Sequence, residues 1–371
     1  MLNFLKQSRN LLTCPIQPIC IVIGNESCDL DSAVSAVSLA YFYQKSKEKP
    51  KTPPECNFVP ILNICQRDYP IKTEVNYLFG KYGITDELLT FRDEVSDDFL
   101  KSCRFCLVDH HVSPWSDKTV AIYDHRPLDK TALIPEECDL HMHMVGSCAT
   151  LIADLFIQNE VIHEEARNVL EMLRGAIVLD TVNFSKEAAR ATSKDIEICS
   201  KLEEILEIGN AVNNRKVLFD DLVRARSDVS SLTAAQLLRK DNKILASNKD
   251  GNMKIAIPGF PMPVKEFITK GNAEKAIREF AMENKCAVVL LMGMFVNPDD
   301  NAVHRDIGLI NFNNGTTCEF IKQKLETLTE PNLSLEQLSC CNFMNGSFYK
   351  QGNIRATRKH ILPVVKSILD H

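Results

Sequence analysis

The sequence predicts an α/β protein in which a mostly parallel sheet flanked by helices is followed by a second, smaller α/β domain. Short apolar runs rich in β-branched residues alternate with helical segments through the first half. This alternation is typical of a parallel sheet with right-handed crossovers. A charged helical stretch at residues 194–214 precedes a second set of strands and helices. In a chain of 371 residues we predict domains at 1–200 and 221–371, joined by a linker at 201–220.

The individual elements follow from the spacing of apolar residues and from the turn and capping residues between them. In the first domain we predict strands at residues 19–23, 58–64, 103–108, 119–123 and 140–144, and helices at 31–43, from 145–150 onwards, at 71–82 and at 164–179. In the second domain we predict strands at 253–257, 286–296 and 305–312, and helices at 232–240, at 272–284 and after Leu362-Pro363.

The composition argues against two classes of protein. Apolar residues make up 45% and charged residues 25% of the chain, as in ordinary soluble domains. The net charge of −6 argues against nucleic-acid binding, because neutralising phosphates requires a basic surplus. No apolar run reaches the roughly 18 residues that a membrane-spanning helix needs, so we expect no membrane partner.

The fourteen cysteines are irregularly spaced and most lie in apolar runs, which predicts buried, reduced thiols. Cys103 and Cys106 form a C-x-x-C pair, but a strand directs their side chains to opposite faces, so we predict no zinc there. Reduced thiols indicate a cytoplasmic protein. The basic amino terminus, with Lys6 and Arg9 and no acid before Glu26, makes the mitochondrion the alternative.

Acidic residues follow several predicted strands of the first domain. Asp29 and Asp31 follow the first strand, and Asp109 follows the third. The fourth strand ends at Asp124-His125-Arg126, and Asp180 ends a further apolar segment. Because the carboxyl ends of neighbouring parallel strands meet at one edge of the sheet, we expect these groups to converge. Uncompensated carboxylates would repel one another, whereas Mn²⁺ or Mg²⁺ binds carboxylate oxygens and an occasional imidazole. The sequence thus predicts a two-metal pocket that activates a water for attack on phosphorus.

Each acid also has a purely structural interpretation. Asp31 could cap the helix that follows it, and Asp180 could cap a helix beginning near Thr181. A single Asp-His pair at a strand end is more often a turn or a cap than a metal ligand. The metal interpretation therefore depends on the convergence of all four segments.

Five motifs occur in the order found in the DHH phosphoesterases. They are Gly-Asn-Glu-Ser-Cys-Asp-Leu-Asp-Ser at 24–32, Leu-Val-Asp-His-His at 107–111, Tyr-Asp-His-Arg-Pro-Leu at 123–128, Val-Gly-Ser-Cys-Ala-Thr at 145–150 and Leu-Asp-Thr-Val-Asn at 179–183. The chain resembles the prune subfamily, which is similar to exopolyphosphatases and manganese-dependent inorganic pyrophosphatases. This resemblance implies a DHH domain, a smaller DHHA2 domain and an active site in the cleft between them. We expect an insect-type or other short-form member without the polar carboxyl-terminal extension of the subfamily.

The resemblance also implies roles for single residues. Asp29 is the implied ligand of the first metal ion, and Asp109 bridges the two ions. Asp31, His125 and Asp180 are the implied ligands of the second ion. His110 is implied to support the catalytic residues without binding a metal ion directly. The implied cofactors are two ions of Mn²⁺ or Mg²⁺.

Two residues depart from the pyrophosphatase pattern. Asn25 stands where pyrophosphatases have a metal-binding histidine. Its amide oxygen is a weaker ligand for manganese, so we expect a loosely bound first ion and a preference for Mg²⁺. Arg126 stands where they have a second histidine, and a guanidinium can hold charge but cannot transfer a proton. Both residues predict slow turnover of pyrophosphate.

Cations for the remaining phosphates are expected from the second domain. Thr357-Arg358-Lys359-His360 resembles the Ser-Arg-Lys-Lys motif of DHHA2 domains, so Arg358 and Lys359 are candidates for substrate binding together with Arg126. Lys243 is a further candidate, although a solvated cation explains it equally well. The helix that Val145-Gly146-Ser147 opens could hold an anion at its free N–H groups, but capping explains that sequence too.

The expected activity is hydrolysis of short polyphosphates at a terminal phosphoanhydride. Cleavage of a cyclic nucleotide such as cAMP is the alternative reaction, for which Trp115 is the candidate platform for a base. A weakly active scaffold that binds nucleoside diphosphate kinase is the alternative from another class, implied by the resemblance.

Overall fold

The computed structural model describes residues 1–50, 56–247, 253–297, 302–312, 315–338 and 342–370. The chain forms two compact units, Met1–Asp228 and Val229–His371, and each is described by itself. No helix among the described residues is long and apolar enough to cross a membrane.

The first unit is built on a fully parallel five-stranded sheet with strand order β2-β1-β3-β4-β5. Its strands are β1 Ile19–Ile23, β2 Asn57–Ile61, β3 Arg104–Val108, β4 Thr119–Asp124 and β5 Asp139–Met142. Strand β1 lies between β2 and β3, and all five of its residues are buried, as expected when helices cover both faces of a parallel sheet. Strand β5 is partly exposed because it lies at the edge.

Helices pack around this sheet and carry the turns that form the site. They are α1 Leu2–Thr13, α2 Leu30–Lys45, α3 Thr73–Lys81, α4 Asp97–Ser102, α5 Cys148–Gln158, α6 Arg167–Asp180, α7 Ser193–Ile205 and α8 Ala211–Ser227. Helix α2 is buried along nearly its whole length, since it packs against the sheet and against α5 and α6. The main core contains residues of both helices and sheet, among them Val22, Phe42 and Leu173.

The structure differs from the predicted domain boundary. Residues 201–220, for which we predict a linker, lie in helices α7 and α8 of the first unit. The reason is hydrophobic burial, because Leu202, Leu218 and Leu222 belong to the core of that unit. The charged outer faces of these helices resemble linker composition, while their inner faces anchor them.

The second unit contains a six-stranded mixed sheet with strand order β10-β11-β9-β8-β7-β6. Its elements are α9 Ala234–Lys240, β6 Asn242–Ala246, β7 Lys254–Phe260, α10 Val264–Phe267, α11 Ala273–Glu283, β8 Cys286–Val296, β9 Val303–Asn311, α12 Gly315–Glu326, β10 Leu335–Gln337, β11 Ser347–Gln351 and α13 Arg358–Leu369. Strands β7 and β8 pair in parallel, and the other neighbouring pairs are antiparallel. The final helix begins before Pro363 because Thr357 and His360 cap its first turn, with the Thr357 N–H donating to His360 Nδ1 at 3.0 Å.

The described cysteines are free, and most of them are buried. Cys106 lies in β3, with its Sγ 3.5 Å from that of Cys20 in β1, while Cys103 ends helix α4. The two residues of the C-x-x-C motif therefore belong to different elements.

Candidate metal centre

The carboxyl ends of β1, β3 and β4 open into a pocket of about 320 Å³. Nine residues line it: Asp29, Asp31, Asp109, His125, Arg126, Val145, Gly146, Asp180 and Arg190. All five predicted metal ligands are therefore among the lining residues. Ligand atoms of Asp31, Asp109 and His125 lie within 4.8 Å of one another.

Asp29 and Asp31 lie on the turn between β1 and α2, where they have different structural roles. Asp29 is the residue that caps α2, because its carboxylate accepts the Ser32 N–H at 3.1 Å. Asp31 lies inside the first turn of the helix and is 2% exposed. The predicted alternative, in which Asp31 is the cap, is therefore wrong.

The buried Asp31 carboxylate is held by the first turn of another helix, α5. Its oxygens accept the backbone N–H groups of Cys148 and Ala149, both at 2.7 Å, and the Ser147 hydroxyl at 2.8 Å. Helix N-termini stabilise anions in this way. The anion bound by the Val145-Gly146-Ser147 segment is thus a side chain of the protein. Cys148 and Ala149 use their N–H groups for it.

Asp109 is the first residue after β3, and its φ of 60° lies in the left-handed region. Its Oδ1 lies 3.2 Å from His125 Nε2 and 3.3 Å from an Arg126 guanidinium nitrogen. Its Oδ2 accepts a 2.6 Å hydrogen bond from Asn25 Nδ2. Left-handed backbone in a non-glycine residue is uncommon and often marks a functional site.

His125 is oriented by the backbone of the facing loop. Its Nδ1 lies 3.0 Å from the Val145 carbonyl, which directs Nε2 towards Asp109 and Asp31. Burial alone would lower the pKa of His125, but the hydrogen bond to Asp109 and the charge of Asp31 raise it to about 9. In the absence of a metal ion, this imidazole is a cation among carboxylates. It partly offsets their repulsion.

Asp180 is the last residue of α6, at the negative end of the helix dipole. No hydrogen bond or ion pair reaches its carboxylate from the part of the chain that the structure describes. Three consecutive left-handed residues follow it: Val182, Asn183 and Phe184. A β-branched residue such as Val182 rarely adopts this conformation. A carboxylate in this position lacks the donors that normally stabilise one, so the interpretation of Asp180 as a helix N-cap is wrong.

The electrostatics of the pocket fit a bound divalent cation. Burial and the neighbouring carboxylates raise the pKa of Asp109 to about 7, although the hydrogen bond from His125 lowers it. Burial raises the pKa of Asp31, and burial together with three like charges raises that of Asp180 well above its usual range. Carboxylates and one imidazole are the donor set that Mn²⁺ and Mg²⁺ accept. A cation would relieve the repulsion and occupy the unused lone pairs of Asp180.

Asn25 has a different role from the one that we predict. Its amide oxygen accepts the backbone N–H groups of Ser27 at 2.9 Å and Cys28 at 3.2 Å. Only the oxygen can accept these bonds, so the amide nitrogen must face Asp109. Asn25 thus donates a hydrogen bond to a candidate ligand, and its oxygen is turned away from the carboxylates towards its own loop.

The two histidines after Asp109 make different contacts. His110, the predicted supporting residue, contacts the Val108 carbonyl through Nδ1 at 2.9 Å, and burial lowers its pKa. The sequence predicts no role for His111, whose contacts reach the loop after β4. It contacts the fully buried Asp124 through Nδ1, and its Nε2 accepts the Asp129 N–H at 2.8 Å. Asp124 also accepts the backbone N–H of His125, so this pair fixes the loop that carries a candidate ligand.

The other predicted binding residues lie elsewhere. Trp115 stacks on Phe105 with ring centroids 4.9 Å apart and does not line the pocket. In the second unit, Arg358 donates to the carbonyls of Asp241 and Ile257, and its guanidinium pairs with the Asp241 carboxylate at 2.6 Å.

Lys243 in β6 is the register partner of Ile257, whose carbonyl accepts a hydrogen bond from Arg358. Lys359 follows at the start of α13 and is exposed. The structure therefore brings the three predicted cations of the second unit to one region. It also gives Arg358 a carboxylate partner there.

Comparison with known proteins identifies the family of the chain. The DHHA2 domain family matches residues 220–368. The sequence is 32% identical over 366 residues to the human exopolyphosphatase PRUNE1, covering 95% of this chain and 76% of that protein. The chain belongs to the prune group of the DHH-family phosphoesterases. This membership confirms the predicted enzyme class, a phosphohydrolase.

Two further relatives show the range of the family. The exopolyphosphatase PRUNE1 of Bos taurus is 32% identical over 382 residues, covering 100% of this chain and 79% of that protein. A manganese-dependent inorganic pyrophosphatase of Methanocaldococcus jannaschii is 26% identical over 239 residues, covering 60% of this chain and 66% of that protein.

Proposed function

We propose that this prune-group protein hydrolyses the terminal phosphoanhydride bond of short polyphosphates with two divalent cations, Mn²⁺ or Mg²⁺. The observation that supports this most is the convergence of Asp31, Asp109 and His125 within 4.8 Å, in a pocket that Asp29 and Asp180 also line. The names of its relatives, exopolyphosphatase and manganese-dependent pyrophosphatase, support the same substrate class and metal.

The proposed division of roles follows the chemistry of each side chain. Asp29 would hold the first ion, Asp31, His125 and Asp180 would hold the second, and Asp109 would be the ligand that both ions share. When bound, the ions supply Lewis-acid activation of water and of the phosphoryl group. Asn25 and Arg126 hold the bridging carboxylate between them, at 2.6 Å and 3.3 Å. Arg126 binds substrate phosphate as a fixed cation, because a guanidinium keeps its proton at neutral pH.

The substrate phosphates away from the reacting bond need further positive charge. We assign this task to Lys243, Arg358 and Lys359 of the second unit. Arg358 is engaged by Asp241 in the structure, so a substrate phosphate would have to compete with that carboxylate or bind beside it. Lys359 has no ion pair within the described residues, which makes it the more available of the two.

Phosphate release from tri- and tetrapolyphosphate with Mn²⁺ or Mg²⁺ tests the proposal, with bound metal measured by mass spectrometry. We expect the parent protein to release phosphate and Asp180→Asn to lose metal and activity together. Asp117→Asn is the matched control, because Asp117 is exposed and lies outside the pocket. Absence of phosphate release with either metal would contradict the proposal. Hydrolysis of cAMP in its place would support the cyclic-nucleotide alternative, and an effect on nucleoside diphosphate kinase that survives Asp109→Ala would support the scaffold.

A further inference from the structure

Arg190 lines the acidic pocket although no motif of the sequence includes it. It lies in the turn region between α6 and α7, ten residues after Asp180 in the chain. Its side chain is exposed, and within the described ranges it has no ion pair and no side-chain hydrogen bond. Arg190 therefore lines the same pocket as four carboxylates without pairing with one of them among the described residues, which leaves its guanidinium available for another anion.

The backbone of Arg190 packs against Gly146, another residue that lines the pocket. Its carbonyl oxygen packs so closely on Gly146 that a Cβ at residue 146 would lie 2.8 Å from it. The buried Asp195 joins the same segments. Its carboxylate accepts the Gly146 N–H at 2.8 Å, the Thr192 N–H at 2.7 Å and the Thr150 hydroxyl at 2.6 Å. The backbone position of Arg190 is therefore fixed by its packing on Gly146 and by the hydrogen bonds of Asp195 to the neighbouring residues.

The segment Val145-Gly146, which contacts Arg190 through Gly146, also orients a candidate metal ligand. The Val145 carbonyl contacts His125 Nδ1 at 3.0 Å, and the next residue, Gly146, contacts Arg190 and Asp195. His125 and Arg190 are thus positioned by adjacent residues of one loop. An anion between them would meet the metal site on one side and a guanidinium on the other.

Arg126 does not fill the same role. One of its guanidinium nitrogens lies 3.3 Å from Asp109, so part of its charge is used by a candidate ligand. Arg190 comes from a different loop, and among the described residues none of its five guanidinium N–H donors has a partner. Its planar guanidinium matches two oxygens of a phosphoryl group, a geometry that an ammonium does not reproduce.

We propose that Arg190 binds a non-reacting phosphoryl group of the polyphosphate and thereby raises the affinity of the first unit for its substrate. The inference rests on the proposed function and adds a substrate subsite that belongs wholly to the first unit. Arg190 binds substrate in this proposal and takes no part in proton transfer or metal binding.

The test compares Arg190→Gln, Arg190→Lys and the control Lys186→Gln, which changes an exposed cation of the same turn region. Steady-state kinetics with tripolyphosphate and calorimetric binding of imidodiphosphate, both with Mn²⁺, provide two readouts. We expect Arg190→Gln to raise KM and the imidodiphosphate Kd about 10–100-fold, because a charged hydrogen bond to phosphate is lost. The kcat, the Mn²⁺ affinity and the melting temperature should stay close to those of the parent. Arg190→Lys should recover part of the loss, and Lys186→Gln should show none.

The outcomes separate this inference from the proposed function. If the parent hydrolyses tripolyphosphate but Arg190→Gln keeps the parent KM and Kd, the subsite is wrong and the proposed function stands. A fall in Mn²⁺ affinity or melting temperature that accounts for the whole effect would make Arg190 structural. If the parent neither binds imidodiphosphate nor hydrolyses polyphosphate, both ideas fail.

Discussion

The side-chain amide of Asn25 donates a 2.6 Å hydrogen bond to Asp109 Oδ2, the carboxylate at the centre of the acidic pocket. Two backbone N–H groups hold the amide oxygen on the opposite side, so the donor is fixed. This hydrogen bond stabilises the ionised Asp109 carboxylate before any cation binds. The Asn25–Asp109 pair therefore bears on how the site tolerates the absence of metal.

Replacing Asn25 by aspartate keeps the acceptor for Ser27 and Cys28 but removes the donor to Asp109. We expect Asn25→Asp to lower the free energy of unfolding of the metal-free protein by about 1–3 kcal/mol at pH 8. At pH 5 the loss should be smaller, because Asp109, with a pKa of about 7, is then protonated. Urea unfolding in EDTA measures both values, with Asn25→Ala as the comparison. An equal loss at both pH values would contradict the interpretation.

The metal-free protein should lose stability as the pH rises from 5 to 9. Asp109 has a folded-state pKa of about 7, which is above its value in the unfolded chain. Its contribution to the free energy of unfolding is therefore lost as the pH rises through about 7. His125 has a folded-state pKa raised to about 9, so its contribution is complete below its unfolded pKa of about 6.5 and is lost as the pH rises through about 9.

Both signs agree, and together we expect a decrease on the order of 2–4 kcal/mol. Thermal or urea unfolding in EDTA across this range measures it. Saturating Mn²⁺ should flatten the profile, because the cation stabilises the ionised carboxylates and needs a neutral imidazole. If the free energy of unfolding of the metal-free protein stays constant or rises over this range, the pKa values of Asp109 and His125 are not raised in the folded state.

The His111–Asp124 pair should matter for activity although neither side chain lines the pocket. His111→Ala removes the acceptor of the Asp129 N–H and leaves the buried Asp124 without its imidazole partner. The loop that carries His125 should lose its fixed position, and we expect a decrease of about 10–100-fold in Mn²⁺ affinity or in kcat/KM for tripolyphosphate. His163→Ala, at an exposed site of the same unit, is the control. Parent-like metal affinity and kinetics for His111→Ala would exclude this role.

A buried ion pair joins two helices of the first unit. Arg174 of α6 donates to Glu203 of α7 through two guanidinium nitrogens, at 2.9 and 2.8 Å, and Arg215 of α8 lies 2.5 Å from the other carboxylate oxygen. Glu203→Ala leaves buried positive charge unpaired, so we expect a loss of about 3–5 kcal/mol in the free energy of unfolding.

The exposed pair Glu197–Lys201 on α7 provides the matched control for this change. Glu197→Ala should have a much smaller effect because solvent screens that pair. Chemical denaturation of the two variants decides the point. Comparable losses would mean that burial of the Arg174–Glu203 pair contributes nothing.

Much of the first unit could be predicted because its signals are local. The run Ile19–Ile23 is apolar and β-branched, and a turn of acids follows it, so both the strand and the position of Asp29 and Asp31 could be anticipated. Convergence of these acids with Asp109 follows from the topology of a parallel sheet. Nothing beyond residue type and strand order is needed for that step.

The remaining features depend on contacts between distant segments, which residue patterns do not encode. Which of Asp29 and Asp31 caps α2 depends on the place of α5, whose first turn holds Asp31. Arg190 could not be found from the sequence, because its contact with Gly146 is made by its backbone carbonyl and does not depend on residue type. Asp195 could have been noticed from the capping signature Thr192-Ser193-Lys194-Asp195, but its bonds to Gly146 and Thr150 could not.

The hold of α5 on Asp31 has a kinetic consequence. Because backbone N–H groups and Ser147 already fix this carboxylate, a cation would enter a site in which one buried candidate ligand is already in place. Loading is then a simple association step, with a rate that rises in proportion to metal concentration and no slow phase from refolding. Chelators should leave a folded, reloadable apoprotein. Addition of Mn²⁺ to the apoprotein should then restore activity without a lag.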